Sequence, residues 1–410
     1  MNKAIRLRRL LFFDAVYRNG GIGQAAEMIG VTQPAVSQAI KKLEEENEIT
    51  LFHRGHGGCE PTHEGELLHI RVKRLFEQLE IAIHDVLKGA KSASKNVDMI
   101  CRHLTDTQLR SHIAIARFGS GVSAARHLGI SQVAVHHAAR ELEETLGLAL
   151  YRRQVHNVSV NRVGLLLAQK FSYALREVEH AFNDIAYLRG QAKDKLVIGV
   201  LPQFPQRLLA QAIGRLRQHF PEVVITIYER SYTQLFNDMQ FGELDAIIGA
   251  LHSHLSNETM TEKLFDDPYT VVVRHGHPLM KKSTLTTKDL VNYAWVVPQA
   301  DVPRRATIET MLASLPHRPP IAVETSSLSM MLSMLEESDC LSLVSRSHIR
   351  YGTSLKGLAT LDVAIPEKNR VVGITTHKDL LPTPVLNAFI NYLHAVVEEV
   401  VDSESTKYPC

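Results

Sequence analysis

The chain repeats itself at a spacing of 99 residues, and this limits what it can fold into more than any other feature. Residues 24–54 lie on residues 123–153 without a gap, so that Ala25, Ala26, Gly30, Gln33, Val36, Leu43 and Arg54 recur as Ala124, Ala125, Gly129, Gln132, Val135, Leu142 and Arg153. A repeat of this length that keeps its apolar spacing is one folding unit used twice. In the first copy Leu10, Leu11, Phe13 and Val16 carry the spacing of a helix that Gly20 and Gly21 end. Ala25 to Ile29 make a second, short helix, and Gly30 marks a turn. Thr32 then caps a third helix with Pro34 in its first turn, where a missing N–H is harmless. Ala35, Val36, Ala39, Ile40 and Leu43 form its buried stripe and leave Gln33, Ser37, Gln38, Lys41 and Lys42 near or on the opposite face. Two helices crossing closely at small residues, the second with an outward polar face, predict a helix-turn-helix.

The segment LFHRGHGGCEPT fits a two-stranded wing with Arg54 at its base, and a long helix follows from near Thr62. Leu68, Val72, Leu75, Leu79, Ala82 and Val86 alternate by four and three, and Leu167, Phe171, Ala174, Val178, Ala181 and Ile185 keep that register 99 residues on. Such alternation predicts a helix-pairing seam; a single amphipathic helix lying on a core is the plainer alternative. Residues 91–100 read as a linker. From Lys195 the texture changes to β-branched runs (KLVIGV, FPEVVITIYE, ELDAIIGA, YTVVVR, AWVVP, IAVET, CLSLVS, RVVGITT) separated by helical stretches. That predicts an α/β region with mostly parallel strands. The expected domains are therefore 1–90, 91–192 and 193–410.

At 410 residues the chain exceeds one ordinary core. No apolar run nears the ~18 residues of a membrane span, and the N-terminal apolar stretch is too short for a signal peptide, so a cytoplasmic location without membrane contact is expected. Cys59, Cys101, Cys340 and Cys410 form no CxxC pair, which predicts neither a zinc site nor a disulfide framework, and no cofactor. The net charge is +2, but residues 91–192 hold 13 basic against 8 acidic side chains, and Lys3, Arg6, Arg8 and Arg9 crowd the first nine positions. Such clusters build phosphate-binding surfaces or plain solvated faces.

The ordered pattern AAEMIGVTQPAVSQAIKKLEEE, then LFHR, then PTHEGELL resembles the winged helix-turn-helix of the LysR-type transcriptional regulators. LVIGV, HFPEVVITI, GELDAIIGA, HPL and VETSSLSMML resemble landmarks of that family's two-lobed effector domain, which is similar to periplasmic solute-binding proteins. The resemblance leaves out residues 91–190, where this chain inserts a second winged unit. It implies a fold that is α/β overall, with two tandem winged units on long pairing helices ahead of a two-lobed α/β domain. It implies a non-enzymatic regulator that binds double-stranded operator DNA and a small-molecule effector. A homodimer or homotetramer and a contact with RNA polymerase belong to the same expectation. The alternative is a cytoplasmic small-molecule-binding protein whose winged units only pair with other proteins.

With the third helix in a DNA major groove, Gln33 and Gln38 match the adenine edge, Ser37 reaches a base or phosphate, and Pro34 offers apolar contact to a thymine methyl. Thr32 and the helix N-terminus suit a phosphate, Lys41 is either a DNA contact or an ordinary surface lysine, and Arg54 would reach backbone or minor groove. Copy two keeps Gln132 and presents His136, His137, Arg140 and Arg153. Adjacent helical histidines point about 100° apart and do not share a metal readily. Three readings stay open for copy two: a reader with changed preference, a phosphate binder, or a pairing unit only. Within one chain, the two seams offer a pseudo-dimer with two unlike readers.

Effector candidates follow strands, as ligands in open α/β sheets do. They are Gln203 and Phe204 after the first strand, Ser231 and Tyr232 after the second, Gly249 at an expected crossing between lobes, and Gln299. Thr325, Ser326 and Ser327 open a helix whose N–H groups suit an anion, which points to an organic acid. His275 and His277 flank a glycine at the HPL turn and read as loop rather than metal pair.

Overall fold

The computed structural model describes residues 6–55, 58–89, 96–154, 157–190, 195–251, 258–300, 302–352, 357–365 and 370–402. The chain forms two compact units, one running to residue 194 and including 240–243, the other comprising the remainder from 195. Among the described residues no helix is long and apolar enough to cross a membrane.

The first unit holds the repeat. Copy one comprises α1 (Leu7–Asn19), α2 (Ile22–Ile29), α3 (Gln33–Asn47), β1 (Phe52–Gly55), β2 (Gly58–Pro61) and α4 (His63–Gly89). After α5 (Val97–His103), copy two comprises α6 (Asp106–Phe118), α7 (Gly121–Leu128), α8 (Gln132–Leu146), β3 (Tyr151–Gln154), β4 (Asn157–Val160) and α9 (Arg162–Leu188). Every boundary of the second set is that of the first shifted by 99. The expected linker over 91–100 needs correction: residues 91–95 lie outside the described residues, and from Val97 the chain is helical. Asn96 caps α5 by accepting from the Met99 N–H at 3.4 Å, and Ile100 and Cys101 bury themselves in the common core.

The local reasons for the fold recur in both copies. Ala25 and Ala26 are buried where α2 crosses α3, as are Ala124 and Ala125 in α7. Gly30 and Gly129 sit at φ 77° and 67°, the left-handed region where a side chain is costly. Each wing is an antiparallel pair, Phe52 opposite Pro61 and Tyr151 opposite Val160. Each long helix begins pressed against the strand entering the wing: a Cβ on Gly65 would stand 2.3 Å from the Leu51 carbonyl oxygen, and one on Gly164 2.4 Å from that of Leu150.

One difference between the copies is chemical. Phe13 packs on Phe52 in copy one, with ring centroids 5.5 Å apart. In copy two the same positions hold His112 and Tyr151 at 5.4 Å. His112 is fully buried, with Nδ1 2.7 Å from the Tyr151 hydroxyl and Nε2 2.8 Å from the Gly164 carbonyl oxygen. The carbonyl can only accept, so Nε2 donates to it and Nδ1 accepts from the tyrosine. Burial pushes the imidazole pKa down to about 4. A depressed histidine gives stability that is whole above the unfolded pKa of about 6.5 and lost as pH falls toward about 4, a loss of about 3 kcal/mol. Denaturant melts of the first unit's transition should therefore weaken across that window. The His112→Phe/Tyr151→Phe protein, which restores copy one's aromatic pair, should lose about 3 kcal/mol less between pH 7 and pH 4. An unchanged pH slope would contradict the assignment.

The seams predicted on α4 and α9 meet within the chain. Leu68, Val72, Leu75, Leu79, Ala82 and Val86 are buried in the same core as Leu167, Phe171, Ala174, Val178, Ala181 and Ile185. Arg71 reaches Asp184, Gln78 reaches Glu177 and Lys170 reaches Asp85, so partner numbers fall as numbers rise and the helices run antiparallel.

The second unit alternates strand and helix in chain order: β5 (Lys195–Val200), α10 (Gln206–His219), β6 (Val224–Glu229), α11 (Tyr232–Gln240), β7 (Ala246–Ala250), β8 (Thr259–Asp266) and β9 (Tyr269–Arg274). Then follow β10 (Trp295–Val297), α12 (Pro303–Ala313), β11 (Ile321–Glu324), α13 (Leu328–Glu336), β12 (Ser342–Ser345), α14 (Arg346–Tyr351), β13 (Leu358–Leu361), β14 (Val371–His377) and α15 (Pro384–Val397). One lobe is built on the sheet β6-β5-β7-β14-β8, the other on β12-β9-β13 and the pair β10-β11. The expected mostly parallel arrangement holds for β5 with β6 and β7 and for β10 with β11. The pairs β14–β7, β14–β8, β12–β9 and β13–β9 are antiparallel, so the sheets are mixed. The reason is topological: the chain leaves the first sheet after β8 and returns to it as β14, which reverses its direction. This also corrects the crossing assigned to Gly249. That residue stays within β7, and the passage between lobes falls at Asp267 and Pro268, with the return between β13 and β14.

Candidate DNA-reading face and effector region

The stripe that buries Val36, Ile40 and Leu43 turns the rest of α3 outward. Gln33, Pro34, Gln38 and Lys41 are exposed and Ser37 is half-buried. Gln33, Ser37 and Gln38 hold no side-chain hydrogen bond with any described residue, so their donors and acceptors are uncommitted, while Lys41 pairs with Glu45 at 3.5 Å. Thr32 occupies the N-cap in extended conformation, yet its side chain makes no cap bond. Pro34 has no N–H and the Ala35 N–H turns back to the Thr32 carbonyl at 3.0 Å, so at the helix start only the Gln33 N–H is without a partner among the described residues, where an anion is favoured.

Copy two presents the same helix with different chemistry. Gln132 is exposed, but its amide nitrogen lies 3.2 Å from His136 Nε2. That imidazole rests over Gly121, where an added Cβ would come within 3.2 Å of it. His137 pairs with Glu141 at 3.3 Å, Arg140 is exposed, and Val133 stands 77% exposed where copy one has Pro34. Ser131, unlike Thr32, caps its own helix by accepting from the Ala134 N–H at 3.1 Å. Arg54 lies on β1 and Arg153 on β3, and their side chains fall outside the described residues. The N-terminal basic cluster is smaller than its composition suggests. Lys3 lies outside the described residues, Arg9 is paired with Glu46 on α3, and Arg8 stacks over the Phe12 ring at 5.5 Å, which leaves Arg6 exposed.

In the second unit the effector candidates do follow the carboxyl ends of parallel strands, but several carry structural work. Gln203 is buried, at φ 75°, and its side-chain oxygen accepts from the Ser345 N–H at 3.0 Å, clasping the end of β5 to the end of β12. Phe204 is 2% exposed and packs toward Phe265, with centroids 6.5 Å apart, so it is core. Ser231 is exposed and donates to Gln234 at 3.1 Å; Tyr232 stacks on Phe236. A Cβ on Gly249 would fall 2.5 Å from that of Leu201, so this glycine serves close packing. Gln299 is exposed beyond β10, and Thr325 follows the end of neighbouring β11. Thr325 donates its N–H to the Val297 carbonyl at 3.0 Å and accepts from the Ser327 N–H at 3.1 Å; Ser327 caps α13, and Ser326 is exposed. His277 caps the turn at Leu279 and contacts the Asp339 carbonyl at 3.2 Å, as a loop histidine would.

Sequence reasoning missed the most unusual group here. Arg304, in the first turn of α12, is 6% exposed. It donates from Nη1 to the Leu343 carbonyl at 2.8 Å; its Nε has no partner, and it forms no ion pair among the described residues. Burial, with the charge of Arg370, holds its pKa down to about 10. His348, also buried, has no partner at Nδ1 among the described residues, and burial followed by the charge of Arg304 keeps it below the usual histidine range. Arg370 differs: it pairs with Asp267, which also accepts from the Ser347 N–H and hydroxyl at 2.9 and 2.7 Å and pins the passage between lobes. A buried guanidinium without a carboxylate is short of an anion. Nothing in the sequence separates Arg304 from Arg305, which takes ordinary partners in Glu309 and Glu324.

Comparison with known proteins places both units. Residues 7–66 and 107–165 each match the bacterial regulatory helix-turn-helix protein, lysR family, and residues 189–398 match the LysR substrate binding domain. The HTH-type transcriptional regulator GalR of Pseudomonas putida is 26% identical over 96% of this chain and 98% of its own length. PcaQ of Agrobacterium fabrum, also an HTH-type transcriptional regulator, is 23% identical over 99% of its length but only 75% of this chain. The structure of a full-length OxyR variant from Pseudomonas aeruginosa is similar in fold, with a TM-score of 0.53 and 22% identity over 72% of this chain and 95% of that one. Two helix-turn-helix matches and a substrate-binding match spanning half the sequence decide the assignment: this chain belongs to the LysR family of transcriptional regulators, with a DNA-binding region and an effector-binding domain.

Proposed function

We propose that α3 reads base edges through Gln33, Ser37 and Gln38, and that α8 supplies a second, weaker and different reader, so that one chain addresses an asymmetric operator. The observation that carries this is the contrast in commitment. Among the described residues these polar groups of α3 hold no partner, whereas those of α8 are tied to each other and to Glu141. A side chain already bonded must break that bond before it can read a base, which lowers its net gain. Footprinting with Gln33→Ala and Gln132→Ala proteins tests it. The first substitution should erase contacts in one half-site, and the second should weaken the other half by a smaller factor. If Gln132→Ala leaves every contact and the affinity unchanged, the asymmetric-reader version is wrong.

The effector in this reading is a small organic acid whose carboxylate meets Arg304 and the neutral His348. Its control over DNA binding is limited to its difference in affinity between two states of the protein. In thermal-shift titrations, carboxylic acids that stabilise the protein should do so far more than their uncharged amides, and Arg304→Gln should abolish the shift. Equal stabilisation by acid and amide, or an undiminished shift in the variant, would contradict the anion site. RNA polymerase contact and assembly into dimers or tetramers are consistent with this role.

A further inference from the structure

The seam between α4 and α9 contains charge where a simple pairing seam would be apolar. Glu177 is 3% exposed and accepts from Arg71 at 3.0 Å, from Arg74 at 2.9 Å and from Gln78 at 3.3 Å. Arg71, equally buried, also donates to Asp184 at 2.8 Å, and Lys170 donates to Asp85 at 3.1 Å nearer the surface. These contacts follow the repeat. Shifted by 99, Arg71 becomes Lys170, Asp85 becomes Asp184 and Gln78 becomes Glu177, so a pseudo-two-fold axis passes between Gln78 and Glu177. The outer ion pairs are nearly self-matching, whereas the centre is not. Two α9 helices paired in this geometry would bury Glu177 against Glu177, and two carboxylates at such range cannot both ionise. Two α4 helices would oppose Gln78 to Gln78 and take the Glu177 carboxylate away from Arg71 and Arg74. Only the unlike pair sets one buried acid against two arginines and an amide.

We propose that this cluster makes the seam heterospecific, so that α4 takes α9 of its own chain as its partner and the two winged units of one polypeptide form a closed pair. The surface that a single-unit relative would offer to a second subunit is then already covered from within, and any assembly of chains uses other faces. Pairing of this kind holds whether or not DNA or effector is bound.

The test uses the full chain with Cys59, Cys101, Cys340 and Cys410 changed to serine and reporter cysteines introduced by Asp85→Cys and Lys170→Cys. Isotopically light and heavy chains are mixed, unfolded, refolded together and treated with a short bismaleimide. Cross-linked peptides should be light–light or heavy–heavy, with mixed species below about a tenth of the total; a statistical half of mixed species, or covalent dimers, overturns pairing within the chain. In the same background Glu177→Lys should lower the cross-link about tenfold, and adding Arg71→Glu and Arg74→Glu together with Asp184→Lys, which keeps a charge partner for residue 71, should restore it. Should the Glu177→Lys protein not fold, recovery of folding and cross-link by the reversal is the expected result. Failure of the reversal to restore the cross-link, or a yield indifferent to the charge at 177, overturns heterospecific pairing.

Discussion

Replacing Gln33 and Gln38 together with alanine should reduce affinity for the operator by about a hundredfold or more while affinity for random DNA changes by less than about twofold, since each amide–adenine pair is worth ~1–3 kcal/mol. The two substitutions touch no core residue. Gln33 and Gln38 lie outside the stripe of Val36, Ile40 and Leu43, and among the described residues neither side chain holds a bond whose loss would unfold α3. Stability should therefore be unchanged within about 0.5 kcal/mol, the ordinary range for surface changes. The phosphate contacts survive, so the slope of log affinity against log salt should stay as it was. Fluorescence anisotropy at several salt concentrations checks all three statements. Equal losses on operator and random DNA would mean that α3 binds backbone and reads nothing.

The largest effect on stability should come from Glu177→Ala. Removing the acid takes a carboxylate away from Arg74 and from Arg71, whose side chain is 3% exposed. Breaking a buried pair on one side costs about 3–5 kcal/mol. A melt resolving the first unit should fall by roughly 10 °C. Replacing the whole cluster with apolar residues, as Arg71→Met, Arg74→Leu, Glu177→Leu and Asp184→Leu together, should recover most of that loss, because well-packed hydrophobic groups substitute for buried ion pairs energetically. It should not recover the choice of partner, which separates the cluster's part in stability from its part in selection. A loss below about 1 kcal/mol in Glu177→Ala would show that water reaches the cluster and screens it.

Much of this was legible in the residues. The recurrence of Ala25, Gly30 and Leu43 as Ala124, Gly129 and Leu142 fixes the spacing of both winged units, because helix crossing and turn geometry admit few alternatives to small residues and glycine. The seam was legible because alternation of four and three survives duplication. The charged centre of that seam was not: Glu177 and Gln78 look like ordinary polar positions until the antiparallel register sets one against the other. In the second unit the strands were legible from β-branched runs, yet β8 (TMTEKLFD) was missed because it lies mostly exposed and carries no apolar alternation. The sheets proved mixed because strand direction depends on where the chain passes between lobes, and Asp267–Pro268 carries no sequence mark of that passage. Candidate effector residues picked by position after strands turned out to include a clasp (Gln203), a core side chain (Phe204) and a packing glycine (Gly249). Arg304 escaped notice because burial of one of two adjacent arginines is decided by a rotation of about 100° around the helix.

The duplicated scaffold keeps its fold while its outward polar face changes. The stripe and turn of copy two persist, and its polar face has exchanged Pro34, Ser37 and Gln38 for Val133, His136 and His137. The exchange ties Gln132 to His136 and His137 to Glu141, and exposes Val133.

Whether the uncommitted side chains of α3 engage base edges of a duplex can be decided by one comparison. Affinity for the DNA upstream of this protein's own gene is set against affinity for random DNA of equal length, at matched salt, with and without candidate acids. Binding to the upstream DNA should be tighter by about a thousandfold or more, the range of specific readers. Equal and feeble affinity for both, under every condition, would contradict base reading by α3.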